Sequence, residues 1–150
     1  MTEKPVDEQL VSFKIVFDNF IDMAENYPEV RRTQAGVTGD WSAWDIIAHI
    51  NGWLVEALRR LPRFAKGTGY IEYNHDAFNA VSLWLRDDKD YDQLLDEMRH
   101  RIGDIVAFID DLGDFYKQRD DRYSMWLRIL EEQAIRHGDE MRQFLRVERT

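Results

Sequence analysis

Apolar residues recur three and four positions apart along most of this chain, which is the spacing of one face of an α-helix. The first run predicts a helix from about Pro5 to Asn26, because a proline suits the first helical turn. The pair Tyr27-Pro28 ends it, since a residue before proline avoids helical angles. The apolar stripe of this helix consists of Leu10, Phe13, Phe17, Phe20, Ile21 and Ala24.

A second helix is predicted to start at Ser42 and to be closed by Pro62 and then by Gly67 and Gly69. Residues 42–45 read Ser-Ala-Trp-Asp, a capping box in which the Ser42 hydroxyl and the Asp45 carboxylate satisfy free backbone N–H groups. A shorter helix follows from about His75 to Leu85, with Asn74 as its N-cap.

Two further long helices complete the pattern. One runs from about Tyr91 to Leu112, with Asp90 as its cap and Gly113 as a plausible C-cap. The other begins near Ser124 and ends near Val147. No segment of useful length alternates with a period of two residues. The chain is therefore predicted to be one all-α domain over residues 1–150, an antiparallel four-helix bundle with one additional short helix.

Composition narrows the possible functions. Hydrophobic residues make up 44% of the 150, which is enough to bury a core. The chain has no cysteine, so disulfides and thiolate metal sites are excluded. A net charge of −9 opposes nucleic-acid binding, which requires Lys and Arg to displace counterions from phosphates. With no signal peptide and no apolar run long enough to span a bilayer, we expect a cytoplasmic protein without a membrane partner.

Two histidines fall on helix faces that are otherwise apolar. His49 lies in the second helix, within WSAWDIIAHINGW at 41–53, and His137 lies in the last, within AIRHGDEMRQFL at 134–145. Burying an imidazole costs free energy unless it finds a partner. Two on separate helices therefore indicate one shared polar site in the bundle, for a metal or a small ligand. The structural alternative is that each is simply a buried histidine hydrogen-bonded to a carboxylate or a carbonyl.

Carboxylates near these histidines could complete such a site. Asp45 and Glu56 share a helix face with His49, and Glu140 lies one turn after His137; the sequence selects none of the three. Met141, four residues after His137, is a poor ligand for zinc or nickel. His100 and His75 are predicted to lie at the surface. The five tryptophans fit core packing as well as an aromatic-walled pocket.

Three motifs, in order, resemble those of the DinB/YfiT-like four-helix bundles. WSAWDIIAHINGW is similar to the second-helix motif of that family, DAFN at 76–79 to the start of its third helix, and AIRHGDEMRQFLR at 134–146 to its last helix. Gly52-Trp53 is also similar to the ClbS/DfsB branch. The resemblance covers nearly the whole chain.

The resemblance implies a bacterial stress or detoxification protein that acts on a reactive small molecule or a thiol conjugate. Family members hold a divalent metal, often zinc or nickel, on three histidines. Here His49 and His137 match two of them, and Met141 stands in place of the third. Together with the carboxylates named above, the resemblance leads us to expect His49, His137 and Glu140 as metal ligands. The expected catalytic residues are His49 and His137, assisted by Glu56 or Glu140.

The resemblance also has implications for the type of enzyme and for the oligomeric state of the protein. The family includes metal-dependent enzymes and transferases that use bacillithiol, mycothiol or glutathione, and its members are often homodimers. A second hypothesis is a protein that binds or sequesters a small molecule without chemistry and without a metal. In a third, His137 and Met141 are merely core residues.

Overall fold

Six α-helices form the regular structure of this computed structural model, which describes residues 3–67 and 71–147. The predicted all-α class is confirmed, and within those two ranges the only β-type pairing is an isolated bridge between Thr38 and Trp41. A single turn of 3-10 helix spans Glu29–Arg31. The helices are α1 (Val6–Glu25), α2 (Ala43–Phe64), α3 (His75–Trp84), α4 (Tyr91–Asp111), α5 (Asp114–Arg119) and α6 (Arg122–Val147).

Local side-chain chemistry starts three of these helices as predicted. The Ser42 hydroxyl accepts a hydrogen bond from the Asp45 backbone, and the Asp45 carboxylate accepts one from the Ser42 backbone. Asp90 makes the same reciprocal pair with Gln93 at the start of α4. Asn74 caps α3. Each cap satisfies backbone donors that the first helical turn leaves free.

One predicted helix end was correct and one was wrong. α2 ends at Phe64, between Pro62 and Gly67; it passes Pro62 because a proline this close to a helix end removes one backbone hydrogen bond while Leu61 and Phe64 stay buried. Gly113 does not end α4 in the left-handed conformation. It has a φ of −67° and is the N-cap of α5, a short helix that the sequence pattern had not indicated.

The four long helices form a closed ring in which α1 lies between α4 and α6, and α2 lies between the same two helices. α1 runs parallel to α6. The Ser124 hydroxyl bonds to the Lys4 carbonyl at one end of this pair, and the Tyr27 hydroxyl bonds to the Met141 carbonyl at the other.

α2 and α4 also run parallel, since Trp44 donates to the Lys89 carbonyl and Asn51, further along α2, donates to the Leu94 carbonyl. This arrangement requires a long return between the two helices, and α3 with its flanking segments provides it.

The predicted antiparallel arrangement therefore holds for two of the four neighbouring pairs. Tyr91 at the start of α4 donates to the Ala24 carbonyl at the end of α1. Phe64 at the end of α2 packs against Tyr123 at the start of α6, with ring centroids 5.4 Å apart. The α2–α6 pair carries both buried histidines, His49 and His137.

The apolar stripes of the four long helices meet in one core. No helix in the described part of the chain combines the length and the apolar character needed to cross a membrane. The largest fully buried side chains include Phe13, Phe17, Ile46, Ile50, Leu54, Leu94, Met98, Ile105 and Tyr123.

Candidate functional site

His49 of α2 and His137 of α6 lie against each other inside the bundle. Their ring centroids are 5.2 Å apart, and the rings meet edge to face at 89°. The two residues are only 5% and 3% exposed. The structure thus brings together the two histidines that the sequence placed on separate apolar faces.

The hydrogen bonds of His49 fix which of its nitrogens carries the proton. Nδ1 lies 2.9 Å from Asn79 Oδ1, and the Trp53 indole N–H donates to that same oxygen over 3.1 Å. Because an indole N–H can only donate, the atom facing Trp53 must be the amide oxygen of Asn79. His49 therefore donates through Nδ1–H, and its Nε2 carries a lone pair.

His137 has the same arrangement. Its Nδ1 lies 2.6 Å from the Glu140 carboxylate, and the Arg136 guanidinium lies 3.4 Å from its Nε2. The carboxylate accepts from Nδ1–H and the guanidinium can only donate toward Nε2. Glu140 therefore orients the imidazole from the side opposite to the lone pair.

Burial keeps both imidazoles uncharged. Burial, and to a lesser degree the neighbouring His137, lower the pKa of His49 from 6.5 to about 4, although the contacts with Asn79 and Gln133 act in the opposite direction. Burial also lowers the pKa of His137, and Glu140 offsets part of that effect. At neutral pH the site therefore holds two neutral bases.

Trp41 covers the other face of His49, with ring centroids 4.9 Å apart. A tight turn before α2 positions it: the Trp41 N–H donates to the Thr38 carbonyl, and the Trp41 carbonyl accepts from the Val37 N–H. Gly39 within this turn has a φ of +56°, which a residue with a Cβ rarely adopts.

The other predicted site residues lie elsewhere. Glu56 is 4% exposed, and its carboxylate accepts hydrogen bonds from the Tyr73 hydroxyl at 2.6 Å and from Arg60 at 3.0 Å. It is two turns along α2 from His49, about 10 Å in axial rise. Asp45 is engaged in the capping box of α2.

The remaining histidines stay outside the pair. His75, at the start of α3, is exposed and its ring lies 5.5 Å from that of Trp53. His100 is exposed on α4, as predicted.

The donor set does not suit the three-ligand metal site that the sequence resemblance implies. Over residues 3–67 and 71–147, no group of three or more His, Cys, Asp or Glu side chains is placed to hold a metal ion. Met141 is fully buried where a third histidine would stand. The carboxylate of Glu140 is bound to Nδ1 of His137, and the cationic Arg136 lies beside the lone pair on Nε2.

A cavity of about 300 Å³ opens next to the histidines, between α2, α6 and the segment that leads into α3. Gln133 lines it and is also a polar neighbour of His49, so this side chain connects the cavity to the histidine pair. Most of the remaining wall is aromatic or aliphatic, formed by Trp53, Phe64, Ile71, Tyr73, His75, Met125, Trp126, Ile129 and Leu130, with Arg60 and Arg122.

Sequence reasoning missed three residues of this region. Asn79 and Gln133 are polar neighbours of His49, and Tyr73 holds Glu56. Asn79 alone had a signal, since it is the last residue of the DAFN motif, but its partners on α2 lie 26 and 30 residues away. Nothing in the sequence around Gln133 or Tyr73 marks a contact across helices.

Two solved structures share this fold. An uncharacterised protein from Escherichia coli UTI89 has a TM-score of 0.78 at 16% identity, covering 95% of this chain and 93% of its own. An uncharacterised protein from Clostridium difficile 630 has a TM-score of 0.73 at 14% identity, covering 99% of both chains. No protein-family profile matches the sequence. No functionally characterised protein matches it either. At these identities the likeness concerns the fold.

Proposed function

We propose that this protein binds a reactive small molecule in the cavity between α2 and α6, without a metal, and protects the cell by retaining it. The observation that carries this proposal is the cavity itself: about 300 Å³, walled mainly by aromatic and aliphatic side chains, with a few polar ones that include Arg60, Arg122 and Gln133. Small-molecule sites generally have this composition, in which apolar walls supply affinity and a few polar groups fix orientation.

The neutral histidine pair supports binding of an uncharged or weakly polar molecule. Two imidazoles that stay unprotonated at pH 7 add no charge beside the cavity. The two arginines in its wall, Arg60 and Arg122, are paired with the carboxylates of Glu56 and Asp120. A protective role against a reactive compound rests on the motif resemblance to the DinB/YfiT-like bundles and their ClbS/DfsB branch. Chemistry on a thiol conjugate is the alternative within that family.

A thermal-stability screen with small aromatic compounds tests the proposal. A ligand that binds only the folded protein stabilises it by RT ln(1 + [L]/Kd), about 2.7 kcal/mol at a hundredfold excess over Kd. We expect at least one class of compound to raise the melting temperature. If no compound in a broad aromatic set does so, the cavity is not a binding site.

Two matched variants on α6 locate the effect. Ile129 lines the cavity and is 37% exposed, so Ile129→Trp should fill the opening and abolish stabilisation by the compound. Ile135 is 50% exposed on the same helix and does not line the cavity, so Ile135→Trp should keep it. Equal loss of stabilisation in both variants would mean that the compound binds elsewhere.

A further inference from the structure

The ion pairs beside the cavity present only their cationic members to it. Arg60 and Arg122 line the cavity, whereas their carboxylate partners, Glu56 and Asp120, do not. No Asp or Glu belongs to the part of the wall that the structure describes. A group that carries partial negative charge is therefore favoured in this cavity over one that carries partial positive charge.

Two hydrogen-bond donors of this wall remain for a ligand. An arginine carries several N–H groups, and that on Nε of Arg60 donates to Glu56 over 3.0 Å. The other N–H groups of Arg60 have the Tyr73 hydroxyl as a polar neighbour. The Trp126 indole N–H forms no hydrogen bond within residues 3–67 and 71–147, and the half-buried side chain lines the cavity.

The acceptors in the same wall are less available. Gln133 Oε1 is fully buried, and the Tyr73 hydroxyl donates to Glu56 and lies beside Arg60. A ligand that enters this cavity therefore meets donors more readily than acceptors.

Arg60 and Trp126 lie at about the same level of the bundle. α2 and α6 are antiparallel, and Phe64 of α2 packs against Tyr123 of α6. Arg60 is one turn before Phe64, and Trp126 is one turn after Tyr123, so the two donors come from facing positions. Tyr73 lies next to both, with its ring centroid 6.5 Å from that of Trp126.

We infer that the cavity selects a flat apolar ligand that carries a hydrogen-bond acceptor, such as a carbonyl oxygen, and that Arg60 and Trp126 donate to this oxygen. This inference rests on the proposed function and specifies its ligand class. A hydrogen bond from a charged donor contributes more than one between neutral groups. Aromatic aldehydes and unsaturated ketones have this form, and both are reactive compounds of the kind that the proposed protective role requires.

1-Indanone and indane are the matched probes for this selection. The two have nearly the same shape, but 1-indanone has a carbonyl where indane has a methylene group. We expect 1-indanone to bind about tenfold more tightly, as judged from protein NMR chemical shifts during titration of each compound. Equal or tighter binding of indane would overturn the acceptor requirement and leave the cavity as a binding site. If neither compound shifts the resonances of cavity residues, both proposals fail.

The tryptophan indole resonances give a second readout of the same titrations. The Trp126 N–H should shift far more with 1-indanone than with indane, because only the ketone can accept a hydrogen bond from it. Trp84 is exposed and does not line the cavity, so its N–H should shift with neither compound. A Trp126 signal that does not move at saturation with 1-indanone would contradict the inference.

Two pairs of variants test the donors. Trp126→Phe removes the indole N–H and should reduce the preference for 1-indanone several-fold, whereas Trp84→Phe makes the same change outside the cavity and should preserve it. Arg60→Lys keeps a cation beside Glu56 but removes the terminal guanidinium nitrogens, so it should also reduce the preference. Arg59→Lys changes an exposed neighbour that does not line this cavity and should not. A preference that persists in both Trp126→Phe and Arg60→Lys would refute the assignment.

Discussion

Replacing Gly52 with alanine should separate α2 from α3 and disturb the histidine site. Gly52 is where the two helices approach most closely along this face: a Cβ at this position would lie 2.1 Å from Ser82 Oγ and 2.6 Å from Ser82 Cβ. The hydroxyl could rotate away, but the Cβ is fixed to the backbone of α3. The helix itself must therefore move.

The size of the effect follows from these distances. Ordinary contact begins at 3.4 Å, so the Cβ atoms must separate by about 0.8 Å. Overpacking of this kind costs about 1–3 kcal/mol. Alanine recovers up to about 1 kcal/mol through its better helix propensity. We expect a net loss of about 1–2 kcal/mol in the free energy of unfolding.

Gly138 provides the matched control, because it is a buried glycine inside a helix with enough room. A Cβ there would lie 3.5 Å from Phe20 and 3.7 Å from Met23, which is ordinary contact. Gly138→Ala should therefore stabilise the protein by about 0.5–1 kcal/mol through helix propensity alone.

Urea denaturation of the two variants gives the stabilities, and NMR of the His49 ring reports on the site. Asn79 lies one turn before Ser82 on α3, so a shift of α3 should weaken its bond to His49 in Gly52→Ala but not in Gly138→Ala. Adding Ser82→Gly to Gly52→Ala should recover part of the loss. A Gly52→Ala protein as stable as the parent, with an unchanged His49 signal, would refute the packing argument.

Three further predictions concern charge and metal. The pKa of His49 falls from 6.5 in the unfolded chain to about 4 in the folded one, so between these values only the unfolded chain binds a proton at this residue. The contribution of His49 to stability should therefore fall on acidification through this window, by up to about 3 kcal/mol. In urea titrations His49→Leu should weaken the pH dependence and leave the part that belongs to His137, whose pKa is also lowered. Elemental analysis of untagged protein should find far less than one zinc or nickel ion per chain. Near-stoichiometric metal that disappears in the His49→Ala/His137→Ala double variant would instead show that the two histidines bind a metal. Arg86→Leu should lower the free energy of unfolding by about 3 kcal/mol. It removes both hydrogen bonds, of 2.9 and 2.8 Å, that Arg86 donates to the Glu97 carboxylate. A loss of stability below about 1 kcal/mol in thermal denaturation would contradict this prediction.

The sequence was sufficient to predict the long helices and the N-caps of α2 and α4, because apolar periodicity and capping residues act over a few neighbouring positions. It was not sufficient to predict how the helices pair. Whether α1 lies parallel to α6 depends on the return path through α3; the sequence predicted this helix and its Asn74 cap, but no local signal gives the direction of the return. Nor did periodicity indicate α5, whose six residues bury no side chain.

The candidate site, like the fold, was predictable only in part from the sequence. The spacing placed His49 and His137 on apolar faces, and the structure shows them in contact. Spacing also placed Glu56 on the face of His49, but it could not show that Tyr73 and Arg60 hold that carboxylate elsewhere. Helical spacing shows which side chains share one face of a helix. It does not show which residue from another part of the chain will form a hydrogen bond with each of them.

The second-helix motif illustrates the point. Asn51 donates to the Leu94 carbonyl of α4, Gly52 gives Ser82 of α3 room to approach, and Asp45 caps its own helix. Of the motif residues Asp45, His49, Asn51 and Gly52, only His49 belongs to the histidine pair. Much of the motif therefore specifies helix packing, which explains why it predicts fold more firmly than chemistry.

The parallel pairing of α1 with α6 has a consequence for how the protein folds. The bonds that join these helices link residues far apart in sequence, with separations of 114 for Tyr27 and Met141 and 120 for Lys4 and Ser124. Helical proteins usually fold quickly because their contacts are local, and contacts over such separations slow the search. On the ribosome, α1 and α2 can pack against α4 first, but the parts of their apolar stripes that face α6 stay exposed until α6 emerges. The histidine pair would then be among the last features of the protein to form.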